Sequence, residues 1–266
     1  VPDDSAAKQA AISALLASGF PFQTAISEVV RHVPDWKIEA EEFPWRDDSG
    51  ADRFLDLVIS KQNLIITIEC KKTQKDIFTF LQPTGTGQKK VNRSRCLYLH
   101  QIEDSSMRIE LFCGDWDIEP YSLESAFCVV STSESGKDQR LLEKDAQLLV
   151  RGTDAYGRHL TPARQTAMGV PDRLIVPLIV TNARLFNANY DPRDVSLDTG
   201  QLLIKPVLDI SPIECVRFRK AFTAANRDVG DRTVFVVAAT SLEKVLHELD
   251  ETFSRYSPRH SIRLPN

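Results

Sequence analysis

FLDLVISKQNLIITIECKK, residues 54 to 72, reads as two apolar strands joined by a polar turn near Lys61-Gln62-Asn63. Asp56 lies inside the first strand, flanked by Leu55 and Leu57, and Glu69-Cys70-Lys71 closes the second. Leu64 to Ile68 is an almost unbroken apolar run, the pattern of a strand covered on both faces. Carboxylates are costly in such a sheet unless paired or bound to a cation. The hairpin therefore reads as a candidate metal site with a lysine beside it.

Strand periodicity sets the expected geometry. Side chains alternate faces, so Glu69 and Lys71 project together, while Cys70 points away and leaves its backbone carbonyl near the site. The turn fixes the register, and one register brings Asp56 alongside Glu69. Asp56, Glu69 and the Cys70 carbonyl then form a hard, oxygen-only donor set of the kind Mg2+ or Mn2+ prefers. Lys71 has donors and no acceptor, so it is not a ligand. Beside a metal it can orient an attacking water or offset charge in a phosphorane-like transition state.

An aspartate, a variable spacer, then Glu or Asp, any residue and Lys is the signature of the restriction-endonuclease-like superfamily. This chain resembles it at Asp56, a spacer of 12 residues, and Glu69-Cys70-Lys71. The proline that often precedes the aspartate is replaced by Leu55, and the close resemblance covers residues 20 to 72. It implies an α/β fold with a restriction-endonuclease-like core, a mixed β-sheet flanked by helices, in the order helix, three strands, helix, strand. It also implies a hydrolase of phosphodiester bonds dependent on Mg2+ or Mn2+, a DNA endonuclease of restriction, phage defence or repair. Nucleic acid is the implied partner, and a homodimer is an allowed assembly. The first core helix of the superfamily often supplies an auxiliary carboxylate, which makes Glu28 the candidate beside Asp56, Glu69 and Lys71. A second function class is a non-catalytic member of the fold, or another α/β module, that acts by binding nucleic acid or protein.

Outward from the hairpin, residues 5 to 18 are helix-prone, with Gly19 as a C-cap candidate. A second helix follows Pro21, with Phe22, Ile26, Val29 and Val30 at helical spacing and Glu28 off that stripe. WKIEAEEF, 36 to 43, alternates as a strand. Asp52 rivals Asp56 but sits in the turn-rich approach to the strand. DQRLLEKDAQLLVRG reads as the second core helix, with Asp145 interrupting its stripe, Gly152 as its stop and Lys137, Gln139 and Arg140 as substrate-facing candidates. RLIVPLIVTNA fits a fourth core strand, although Pro177 removes a ladder donor. Further strand candidates fall at 201 to 210 and 214 to 219, and TVFVVAAT leads into an amphipathic helix striped by Leu242, Val245, Leu246 and Leu249. Alternating strands and helices indicate an α/β sandwich.

The 266 residues, 42% hydrophobic and 26% charged, suffice for one domain spanning 1 to 266, with the strand-like segment 73 to 134 as a β-rich insertion. No segment is apolar for the ~18 residues a membrane span needs, and the first residues lack a signal pattern, so the expected place is the cytoplasm without a membrane partner. Five widely spaced cysteines form neither a disulfide framework nor a zinc ribbon pattern. The net charge of -4 argues against non-specific coating of nucleic acid. Two basic clusters stand out: Lys89, Lys90, Arg93 and Arg95, the candidate nucleic-acid-binding set, and Arg217, Arg219 and Lys220.

Overall fold

In a computed structural model, the structure describes residues 4–73, 77–84, 91–102, 108–131, 141–161, 172–202, 209–223 and 229–255. Two helices, α1 (Asp4–Ala17) and α2 (Phe20–His32), precede three strands, β1 (Lys37–Arg46), β2 (Asp52–Lys61) and β3 (Leu64–Lys71). Four more strands follow: β4 (Ile77–Pro83), β5 (Val91–Ile102), β6 (Arg108–Ser125) and β7 (Cys128–Ser131). After α3 (Leu141–His159) come β8 (Arg173–Thr181), β9 (Arg184–Tyr190), β10 (Asp209–Pro212), β11 (Cys215–Thr223), β12 (Val229–Ala238) and α4 (Leu242–Arg255).

The expected hairpin forms the base of the main sheet. β1, β2 and β3 are antiparallel neighbours, and β3 lies parallel to β8. The sheet runs β1-β2-β3-β8-β12-β11-β6-β5, and β5 returns to pair with β8. Strands β8, β12, β11, β6 and β5 therefore close into a small barrel, and among the described residues β1 is left as the open edge. A second sheet runs β10-β9-β4-β7. The strands of residues 73 to 134 are thus divided, with β5 and β6 in the main sheet and β4 and β7 in the smaller one.

Pro177 is accommodated inside β8 by a change of partner. The Leu174 amide donates to Asn63 O, on the β3 side. By alternation, residue 177 directs its nitrogen to the other side. There the pairing with β5 ends at Ile175 and that with β12 begins at Leu178. A residue with no N–H therefore falls where neither neighbour asks for one.

Two apolar clusters hold the layers together. One joins α3, the smaller sheet and the facing side of the main sheet, through Leu55, Phe78, Phe80, Leu149, Val150 and Phe218. The other joins α2, α4 and the opposite side, through Ile26, Val30, Leu57, Ile66, Phe235 and Leu246. The α4 stripe is buried as its periodicity predicts. By contrast, α1 exposes Ile12, Leu15 and Leu16.

Two glycines differ from their expected roles. Gly19 is the N-cap residue of α2, with an ordinary right-handed backbone, rather than the stop of α1. Gly152 does not end α3, which continues to His159. A Cβ there would come within 2.6 Å of Leu55 Cδ2 and 3.0 Å of Trp45 Nε1, so the missing side chain lets the helix lie against β1 and β2.

Candidate active site

The register of the hairpin decides the site. Leu57 pairs with Ile68, and continuing that ladder sets Asp56 opposite Glu69. On the other side of β2, the pairs Glu41–Leu57 and Phe43–Leu55 bracket Glu42 opposite Asp56. Three carboxylates, Glu42, Asp56 and Glu69, therefore occupy one row across three strands.

The strands do not run straight through this row. Leu55 packs in the α3 cluster and Leu57 in the α2 and α4 cluster, although residues two apart share a face in a regular strand. β2 rolls between them, at Asp56. Across from it, Glu42 has φ 55, a left-handed backbone that costs a non-glycine residue on the order of 1 kcal/mol or more. Where the β2–β3 ladder ends, the Cys70 amide donates to Asp56 Oδ2 at 2.6 Å. The backbone of Cys70 thus serves the site through its N–H. Its thiol packs on the opposite side, where burial pushes its pKa up.

Gln23 of α2 spends its side-chain amide on the same row. Its Nε2 donates to Glu42 Oε1 at 2.7 Å and to Asp56 O at 3.1 Å. Glu28, the expected helix carboxylate, is exposed and paired with Arg31 and His32 of its own helix. The helix contact to the row is Gln23, and the extra acid comes from β1. Asp52 is also exposed and paired with Arg46, which leaves Asp56 as the β2 carboxylate of the site.

The end of β3 is tied down from two sides. Asn182 clasps the backbone of Thr73, accepting from its N–H at 2.6 Å and donating to its carbonyl at 3.0 Å. Lys72 donates to Leu16 O and Ser18 O at the end of α1. Between these anchors Lys71 reaches α3, where its Nζ lies 2.7 Å from Asp145 Oδ2.

Burial and mutual repulsion raise both central acids. Asp56 is pushed up to about 6, by desolvation first, with Glu42 and Asp145 adding to it and the Cys70 amide opposing. Glu69 is pushed up to about 8, by desolvation and then by Asp56 and Asp145, with Lys71 opposing. Burial also raises Asp145, against the pull of Lys71. Among the described residues no three His, Cys, Asp or Glu side chains close into a ready ligand cage. The donor set still fits a hard divalent cation, since burial and mutual repulsion raise the proton affinity of these adjacent carboxylates more than Lys71 lowers it.

No family model, curated protein or solved structure matches the chain.

Among the described residues, the arginines and lysine of the basic clusters all have partners. Arg93 and Arg95 both pair with Asp115, while Lys89 and Lys90 lie outside the described residues, as do Lys137, Gln139 and Arg140. Arg219 pairs with Asp115, Glu124 and Asp231, and Lys220 with Glu143. Arg217 is not at the surface at all. It is fully buried within the barrel, donating to Ser94 Oγ at 2.9 Å, Ser122 Oγ at 2.6 Å and Ile118 O, with its guanidinium over the Phe235 ring. The five cysteines are free thiols, and no single described helix is long and apolar enough to cross a membrane.

Sequence reading missed Glu42, Gln23 and Asp145. Asp145 alone left a signal there, as a charge on a helix stripe otherwise made of leucines.

Proposed function

We propose that this chain is a metal-dependent nuclease with a restriction-endonuclease-like core, hydrolysing phosphodiester bonds in DNA in the cytoplasm, in restriction, phage defence or repair. The observation that carries this reading is the row Glu42–Asp56–Glu69 with Lys71 on the face of Glu69. A row of acids supported by an amide, a glutamine and a strained backbone is expensive to keep, and a cation relieves its repulsion. Asp56 and Glu69 would hold Mg2+ or Mn2+, with Glu42 beside them. The bound cation would supply Lewis acidity and a more acidic water. The chain's own residues do the rest. Asp56 is oriented by the Cys70 amide, Glu42 is oriented by Gln23, and Lys71 sets a positive charge where negative charge grows on the phosphoryl oxygens.

Two measurements test this. Calorimetric titration with Mn2+ should show binding to the native chain and none to the Asp56→Ala, Glu69→Ala double variant; equal affinity would remove the site. Lys71→Ala should keep the fold and the metal while plasmid cleavage slows by roughly two orders of magnitude or more. Unchanged turnover would exclude the mechanism.

A further inference from the structure

We infer that Asp145 is the positioning residue for Lys71, holding the ammonium off the carboxylate row; this rests on the nuclease reading. A lysine side chain is a point charge on a flexible stem. Functional groups act only when held to within about 0.5 Å of the productive place, which a free stem does not provide. Glu69 lies on the same face of β3 two residues away, so an unheld Lys71 would fold onto it. It would then occupy the place of the cation. The ion pair with Asp145 at 2.7 Å draws Lys71 toward α3 instead, with 23% and 12% of the two side chains exposed.

The helix is built to hold that contact. Asp145, Leu149, Gly152 and Tyr156 recur at helical spacing, so Asp145 shares the face that α3 turns to the sheet. Gly152 lets this face approach Leu55, the neighbour of Asp56. Thr153 Oγ1 and Thr67 Oγ1 meet at 2.7 Å in a buried bond between α3 and β3 itself. Lys71 and Asp145 are thus carried by two elements already fastened to each other.

The test is a double-mutant cycle on Asp145→Asn and Lys71→Ala, read by Mn2+ calorimetry and by kcat and KM on a DNA substrate. Asp145→Asn should lower kcat at least about tenfold with KM within about twofold, and should weaken Mn2+ as Lys71 turns onto Glu69. In the Lys71→Ala background the same change should alter neither quantity. Wild-type kcat in Asp145→Asn beside an impaired Lys71→Ala overturns the inference and leaves the nuclease reading standing. Equal loss of Mn2+ affinity in both backgrounds also overturns it, since Asp145 would then be a direct ligand. A Lys71→Ala protein as active as wild type overturns both. If Asp145→Asn does not fold, Asp145→Glu keeps the charge and displaces the ammonium; a lowered kcat at unchanged KM supports the inference, and wild-type kcat overturns it.

Discussion

Glu69 carries the sharpest single-residue consequence. Its carboxyl holds a proton up to about pH 8 in the folded chain, against 4.5 for the ordinary group. Between those values the native state binds more protons than the unfolded chain, so stability falls as pH rises through the window. Glu69→Gln removes that burden. Without metal, the variant should match wild type near pH 4 and melt progressively higher toward pH 8, with a gain of at most about 1.4 kcal/mol per pH unit. Thermal melts across pH in a chelator check it, and a constant difference at all pH values would contradict the assignment. Excess Mg2+ should reverse the order, because the native side chain offers it a carboxylate and glutamine only a neutral carbonyl. At this scale the sequence was readable where chemistry and local period coincide: the places of Asp56, Glu69 and Lys71 in one hairpin follow from alternation and charge alone. Glu42 was not, because its part depends on a left-handed backbone and a partner strand that no local pattern announces. Glu28 misled for a simpler reason, since a residue off the apolar stripe of a surface helix faces water.

Among the elements, α3 decides whether the row and the lysine meet. Its approach depends on Gly152, where helix propensity and packing oppose each other. Alanine would favour the isolated helix by about 1 kcal/mol. Its methyl, however, would meet Leu55 Cδ2 at 2.6 Å inside the core. Overpacking of this kind costs about 1–3 kcal/mol, so Gly152→Ala should lower the urea midpoint with little change in slope. A more stable variant would show that the helix can retreat freely. The same residue shows why the helix end was misjudged: glycine marks both a stop and a close approach, and only the neighbouring strand distinguishes them. The hairpin, α2, β12 and α4 were legible because each carries its own period. The change of partner around Pro177 was not, as it requires knowing that one side of β8 is shared by two strands.

For the whole molecule, the barrel explains what composition could not. Arg217 belongs to a basic run in sequence, yet in space it is a buried cation with no carboxylate paired to it among the described residues. Arg217→Ala should cost about 3–5 kcal/mol, since it opens a cavity and strands the Ser94, Ser122 and Ile118 oxygens. Arg217→Met fills similar space without a charge to desolvate and should cost clearly less. Urea unfolding separates the two, and equal losses would mean that the hydrogen bonds, rather than volume and charge burial, dominate. Barrel closure also leaves the main sheet with β1 as its open border among the described residues. Such a border invites other extended chains to add to it. Here it displays exposed Lys37, Glu39 and Glu41, a register shift after Ile38, and Pro44, which offers no N–H. Glu42 bends the same border out of line. The backbone kink that gathers the acids therefore also disfavours the addition of a further strand at this border, and a variant that straightens β1 should lose solubility together with the site.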